Sequence, residues 1–139
     1  MKDKGFAEPA EIQEILNSSK VIAVVGLSDK PDRPSFGVAK YLQQAGYTII
    51  PVNPTKNEIL GEKVYPDLGS IPVHVDVIDV FRKSEMVGPV VEEAMAIRAE
   101  ALWLQEGVIN IEAARKARQA GLKVVMDRCM LKEHKKRVP

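Results

Sequence analysis

Four stretches of the chain carry residue types suited to a phosphorylated ligand. The first reads Gly26-Leu27-Ser28-Asp29-Lys30-Pro31-Asp32-Arg33-Pro34-Ser35-Phe36-Gly37. Gly26 has no Cβ, so a ligand can come close to its backbone. Ser28 and Ser35 bring hydroxyls, and Lys30 and Arg33 bring positive charge. If a helix opens after this loop, its first amides favour an anion by about 0.3–1 kcal/mol before direct hydrogen bonds are counted. The second stretch, Val52-Asn53-Pro54 with Lys56 close by, places an amide and a cation where a ribose phosphate could sit. In the third, Phe81-Arg82-Lys83-Ser84-Glu85, a ring able to stack on a purine precedes two cations. The fourth, Leu104-Gln105-Glu106-Gly107, offers an amide beside a flexible turn. Taken singly, each also fits an ordinary connection with solvated charges and a phenylalanine at the edge of a core. Taken together, they gather five cations, Lys30, Arg33, Lys56, Arg82 and Lys83, in a chain whose net charge is only +1. Such a localised cationic edge fits a polyphosphate.

Several familiar chemistries are missing. A dinucleotide fingerprint, G-x-G-x-x-G, would need glycines where Ser28 and Pro31 stand. The acid that usually takes the ribose hydroxyls of NAD is replaced by Asn53. NAD is therefore disfavoured, whereas Lys56 and Arg82 keep open an alternative, an NADP-binding oxidoreductase or redox sensor. The P-loop pattern is absent. His74 and His134 lie far apart in sequence without spaced cysteine or carboxylate partners, so no metal site is expected. His74 reads as a loop residue and His134 as a solvated surface residue. No residue is singled out as catalytic.

Composition narrows the class further. The 139 residues suit one compact domain, residues 1–139, and 45% hydrophobic residues supply a core. One cysteine forms no internal disulfide. Twenty Lys+Arg against nineteen Asp+Glu lack the basic excess of a sequence-independent nucleic-acid binder. No apolar run approaches the roughly 18–20 residues that span a bilayer, and Met1 to Ala10 lacks the hydrophobic stretch of a secretory signal. The expectation is a soluble, cytoplasmic protein without nucleic-acid or membrane partners. The basic tail Lys132, Lys135, Lys136 and Arg137 reads as a solvated end.

The elements that must position the four loops alternate in type. Helices are expected over Glu8 to Ser18, Ser35 to Ala45, Glu85 to about Arg98 (with Ser84 as its cap) and from Asn110 to Ala120. Strands are expected at Val21 to Val25, Tyr47 to Val52, Val75 to Phe81, Ala101 to Leu104 and Lys123 to Met126, with a short extended piece at Lys63 to Tyr65. The tail is expected to begin as a helix. Alternation at this spacing implies right-handed βαβ units. The expected fold class is α/β, a doubly wound five-stranded parallel sheet of order 3-2-1-4-5 with helices on both faces. Ligands of such sheets bind beyond the carboxyl ends of the strands, at the switch point beside strand one.

The strings Val24-Val25-Gly26-Leu27-Ser28, Arg33-Pro34-Ser35 and Pro51-Val52-Asn53-Pro54 resemble the small CoA-binding proteins. These are similar to the CoA-binding domain of succinyl-CoA synthetase α subunits and acetate–CoA ligases. Val80-Phe81-Arg82-Lys83-Ser84-Glu85, Trp103-Leu104-Gln105-Glu106-Gly107 and Met126-Asp127-Arg128-Cys129 fit the same pattern, so the likeness runs from Glu8 to His134. The resemblance implies a Rossmann-like domain holding coenzyme A or an acyl-CoA. By position, Gly26 to Ser28 and Arg33 to Ser35 would surround the pyrophosphate or pantetheine. Asn53, Pro54 and Lys56 would lie near the ribose or its 3′-phosphate, Phe81 to Ser84 near the adenine, and Gln105 to Gly107 along the pantetheine arm. In the larger relatives, the resemblance places phosphoryl transfer on a histidine of another domain and nucleotide hydrolysis in an ATP-grasp partner. A non-catalytic binding module is therefore the expectation, with a subunit completed by an unidentified protein partner left open. Cys129 is either a small packed residue or a thiol able to form a mixed disulfide with coenzyme A.

Overall fold

A computed structural model describes residues 6–137. The expectations for Met1 to Ala10 and for the tail through Pro139 lie partly outside the described residues. Helix α1 (Pro9–Ser18) opens with a proline, where the missing N–H costs nothing, and buries Ile12, Ile15 and Leu16. Strand β1 (Val21–Val25) follows, buried at all but its first residue. Then come α2 (Pro34–Gln44), β2 (Thr48–Val52) and a two-stranded hairpin, β3 (Glu58–Ile59) with β4 (Glu62–Lys63). The chain continues through β5 (Val77–Val80), α3 (Val87–Ala96), β6 (Ala101–Leu104), α4 (Ile111–Gln119), β7 (Lys123–Val125) and α5 (Met130–Lys135). No helix among the described residues is long and apolar enough to cross a membrane.

The main sheet is parallel throughout, with order β2-β1-β5-β6-β7. Its register aligns Val25 with Val52 and Val80, and Val80 with Leu104, so these strands end level and release their loops at one rim. Alternate residues feed two apolar layers. Ala23, Val25, Ile78 and Val80 face Val87, Val90 and Val91 of α3 and the alanines of α4. Ile22, Val24 and Trp103 face α1, α2 and Met130 of α5. The doubly wound α/β class is as expected from sequence, with helices on both faces.

The expected order 3-2-1-4-5 needs correction. Val77–Val80, counted as the third strand, lies on the other side of β1 from β2. The outer position beside β2 is taken by the extended piece at Tyr65, whose N–H donates to the Pro51 carbonyl at 3.0 Å while its own carbonyl accepts from Asn53 at 3.0 Å. That single bridge is too short to show as a strand in the sequence pattern. It nevertheless fills the edge, and the chain then passes on to β5. The switch point therefore falls between β1 and β5, where successive connections leave for opposite faces of the sheet.

Ser84 is a second correction. Lys83, not Ser84, precedes the short 3₁₀ turn Ser84–Met86 that leads into α3, and neither residue caps through its side chain. Instead the Ser84 hydroxyl accepts from the Ile109 N–H at 2.9 Å, and its carbonyl accepts from Asn110 Nδ2 at 2.9 Å. The residue ties two rim loops together. His134 is a third. It is half-buried, with Nδ1 2.7 Å from the Tyr41 hydroxyl and its ring edge-on to Tyr41 and Tyr47. His74 sits in a loop, as expected, against Glu100 at 3.0 Å.

Candidate functional site

A cleft of about 540 Å³ opens at the switch point, within the roughly 300–1,000 Å³ usual for small-molecule sites. The β1–α2 loop contributes Gly26, Ser28, Arg33, Pro34 and Ser35 to its wall, and α2 adds Val38. The β5–α3 loop contributes Phe81, Arg82 and Lys83. From the β6–α4 loop come Gln105, Glu106 and Val108, and from the segment after β7, Cys129. Four connections that are distant in sequence thus converge because their strands end at one level.

The β1–α2 loop is shaped by its own hydroxyls. The Ser28 N–H donates to Ser35 Oγ at 3.0 Å, and the Lys30 N–H donates to Ser28 Oγ at 3.0 Å. Ser35 is buried and sits in the first turn of α2, after Pro34. A helix's first turn leaves donors unpaired within the helix, here at the cleft wall. Gly26 adopts φ +85°, and a Cβ built on it would stand 2.3 Å from the Phe81 carbonyl oxygen. Its bare backbone therefore accommodates the neighbouring strand's exit.

Seven residues expected at the site do not line the cleft. Leu27 is wholly buried in the core. Asn53 Nδ2 donates to the Leu27 carbonyl at 3.0 Å, and its Oδ1 accepts from both the N–H and the hydroxyl of Thr55 at 2.9 Å. Asn53 thereby clamps the β1–α2 loop to the loop after β2. Asn53→Ala is expected to cost about 1–2 kcal/mol of stability through these lost bonds, read by urea denaturation. Lys56 Nζ lies 3.3 Å from Asp29 Oδ2, an exposed pair that bridges the same loops. Lys30 and Pro54 are exposed. Ser84 and Gly107 stand behind the wall, Gly107 donating its N–H to Asp127 Oδ1 at 2.8 Å. Of the five cations read from sequence, Arg33, Arg82 and Lys83 line the cleft. Glu106 is the opposing charge there, and Lys132 Nζ holds it at 3.0 Å.

Sequence reasoning passed over Asp79. This acid lies in the middle of β5, fully buried, between Val24 and Trp103 in register. Gln105 Nε2 donates to Asp79 Oδ1 at 2.6 Å, while Oδ2 has no hydrogen-bond partner among the described residues. Burial pushes the carboxyl up to about 7, and the Gln105 bond only partly opposes this. An acid amid Val77, Ile78 and Val80 was the available signal, since charge enters a doubly buried strand only at a cost. Val38 and Val108 were also unforeseen in the wall.

The chain is similar to several known proteins. The chain is 49% identical over 125 residues to the uncharacterized protein YneT of Bacillus subtilis, covering 90% of this chain and 93% of that one. A hypothetical protein from Pyrococcus horikoshii superposes with a TM-score of 0.90 at 42% identity, covering 94% of this chain and 92% of the other. The ADP-forming acetate–CoA ligase I of Archaeoglobus fulgidus is 29% identical over 121 residues, 80% of this chain but only 18% of the ligase. This chain therefore matches one small part of that enzyme. The model of the CoA binding domain family matches residues 20–135, and the chain belongs to that family.

Proposed function

We propose that this chain binds coenzyme A, or an acyl-CoA, in the switch-point cleft and acts as a binding module without chemistry of its own. The observation that carries the reading is the convergence of Arg33, Arg82, Lys83 and the Gln105 amide on one cleft at the β1/β5 switch point. The cations match a pyrophosphate and a ribose phosphate, since guanidinium groups pair bidentately with phosphate oxygens. The half-buried Phe81 ring offers a face for adenine, and the largely buried Gln105 offers hydrogen bonds to the amides of a pantetheine arm. Membership of the CoA-binding family supports the same ligand.

Isothermal titration with coenzyme A, dephospho-CoA and NADP tests the proposal. The expected result is binding of coenzyme A in preference to both others; equal indifference to all three would remove it. A preference for NADP would instead favour the oxidoreductase or redox-sensor reading. Arg82→Ala is expected to weaken coenzyme A binding by about 1–3 kcal/mol, the worth of a charge-assisted hydrogen bond. Thermal melting of that variant should stay close to the parent's, because Arg82 belongs to a rim loop.

A further inference from the structure

A buried acid holds one residue of the cleft wall. Asp79 is 0% exposed and the one hydrogen-bond partner of its carboxyl among the described residues is Gln105, itself only 4% exposed and part of the cleft wall. A primary amide has two unlike ends, and committing one of them decides what the other offers. With Nε2 donating inward to Oδ1, the Gln105 Oε1 is the end left for the cleft.

We infer that Asp79 is a positioning residue: its carboxylate turns the Gln105 amide so that Oε1 accepts a hydrogen bond from an amide N–H of the ligand's pantetheine arm. The inference rests on the reading of the cleft as a coenzyme A site and adds which end of Gln105 meets the ligand and what sets it. When Asp79 takes up a proton it becomes a donor, the favoured partner is Gln105 Oε1, and the amide reverses. The cleft then presents an N–H to the ligand's N–H, and the bond is lost. Burial holds this carboxyl near 7, so both states are populated around neutral pH. Affinity for a ligand bearing the amide arm therefore falls as pH drops through that value.

Other charged and polar groups surround the site. The β1–α2 loop presents Arg33, the β5–α3 loop Arg82 and Lys83, and the β6–α4 loop Glu106. The segment after β7 presents Cys129, preceded in the chain by Arg128, whose Nε is buried. All are common to the parent protein and an Asp79→Asn variant, as are the phosphates of a shared ligand. The quotient of the two dissociation constants, parent over variant, isolates Asp79.

The test measures that quotient by calorimetry between pH 5.5 and 8.5, for coenzyme A and for adenosine 3′-phosphate 5′-diphosphate, which lacks the pantetheine arm. For coenzyme A the quotient is expected to rise about five- to tenfold on going to pH 5.5, the worth of one hydrogen bond. For the armless nucleotide it should stay within about twofold, since that bond is not made. If Asp79→Asn does not fold, Gln105→Met replaces it and is expected to give the same pH-dependent quotient. A quotient for coenzyme A that is flat with pH, or that moves equally for both ligands, overturns the inference while leaving the coenzyme A site standing. Absence of coenzyme A binding at every pH removes the site itself, and the inference with it.

Discussion

Gly26→Val is expected to lower the stability of the fold by about 3–5 kcal/mol, roughly 10–15 °C in melting temperature. Two costs combine. At φ +85° a β-branched residue is strained in the left-handed region, by about 1–2 kcal/mol. In addition, the new Cβ would meet the Phe81 carbonyl oxygen at 2.3 Å, and that oxygen belongs to backbone that cannot swing aside. The β1–β5 junction would have to open at the point where the Phe81 N–H donates to the Val25 carbonyl at 2.9 Å. Thermal melting checks this directly. A variant that melts like the parent would contradict the steric account and return the glycine to the role its sequence position suggests, close approach of a ligand.

The second large effect concerns Asp79 and pH. Its folded-state value of about 7 lies well above the ordinary carboxylate value near 4, because burial penalises the charged form. Between these two values the folded protein binds a proton that the unfolded chain has released, so stability falls as pH rises across that window. The contribution is fully present below about pH 4 and gone above about pH 7. A displacement of that size is worth up to about 4 kcal/mol. Asp79→Asn removes the titration while keeping the shape. Its stability relative to the parent should therefore climb between pH 4 and pH 8 by up to about 4 kcal/mol, in paired urea denaturation series. A difference that stays constant with pH would mean that the carboxyl is ionised throughout. The tolerance of such a liability at the sheet's centre is what makes a role at the adjoining cleft worth testing.

Much of the framework is legible in the residues themselves. Val21–Val25 is a continuous run of β-branched and small residues closed by a glycine, a pattern that belongs to a strand covered on both faces. Ala101–Leu104 is recognisable as a short, wholly apolar run, and Asn110 both reads as a helix cap and is one, accepting from the Ala113 N–H at 3.0 Å. The rim loops follow from the strands, because a parallel sheet leaves every strand-to-helix connection at one edge. What is illegible depends on partners distant in the chain. The position of β5 beside β1, with the extended piece at Tyr65 bridging Val52 on the far edge, is a choice of pairing that no periodicity announces. Asn53 and Lys56 read as ligand groups in the sequence, and only the structure shows that the Leu27 carbonyl, Thr55 and Asp29 engage them. Likewise His134 looks solvated because its neighbours in sequence are charged, although Tyr41 and Tyr47 enclose it.

Coenzyme A is proposed to lie in the cleft between β1 and β5. A crystal structure of the protein grown with coenzyme A tests it most directly. The account predicts electron density for the phosphates against Arg33, Arg82 and Lys83, and for the pantetheine arm beside Gln105. Clear density for coenzyme A on another face of the molecule, with this cleft holding only solvent, would contradict it.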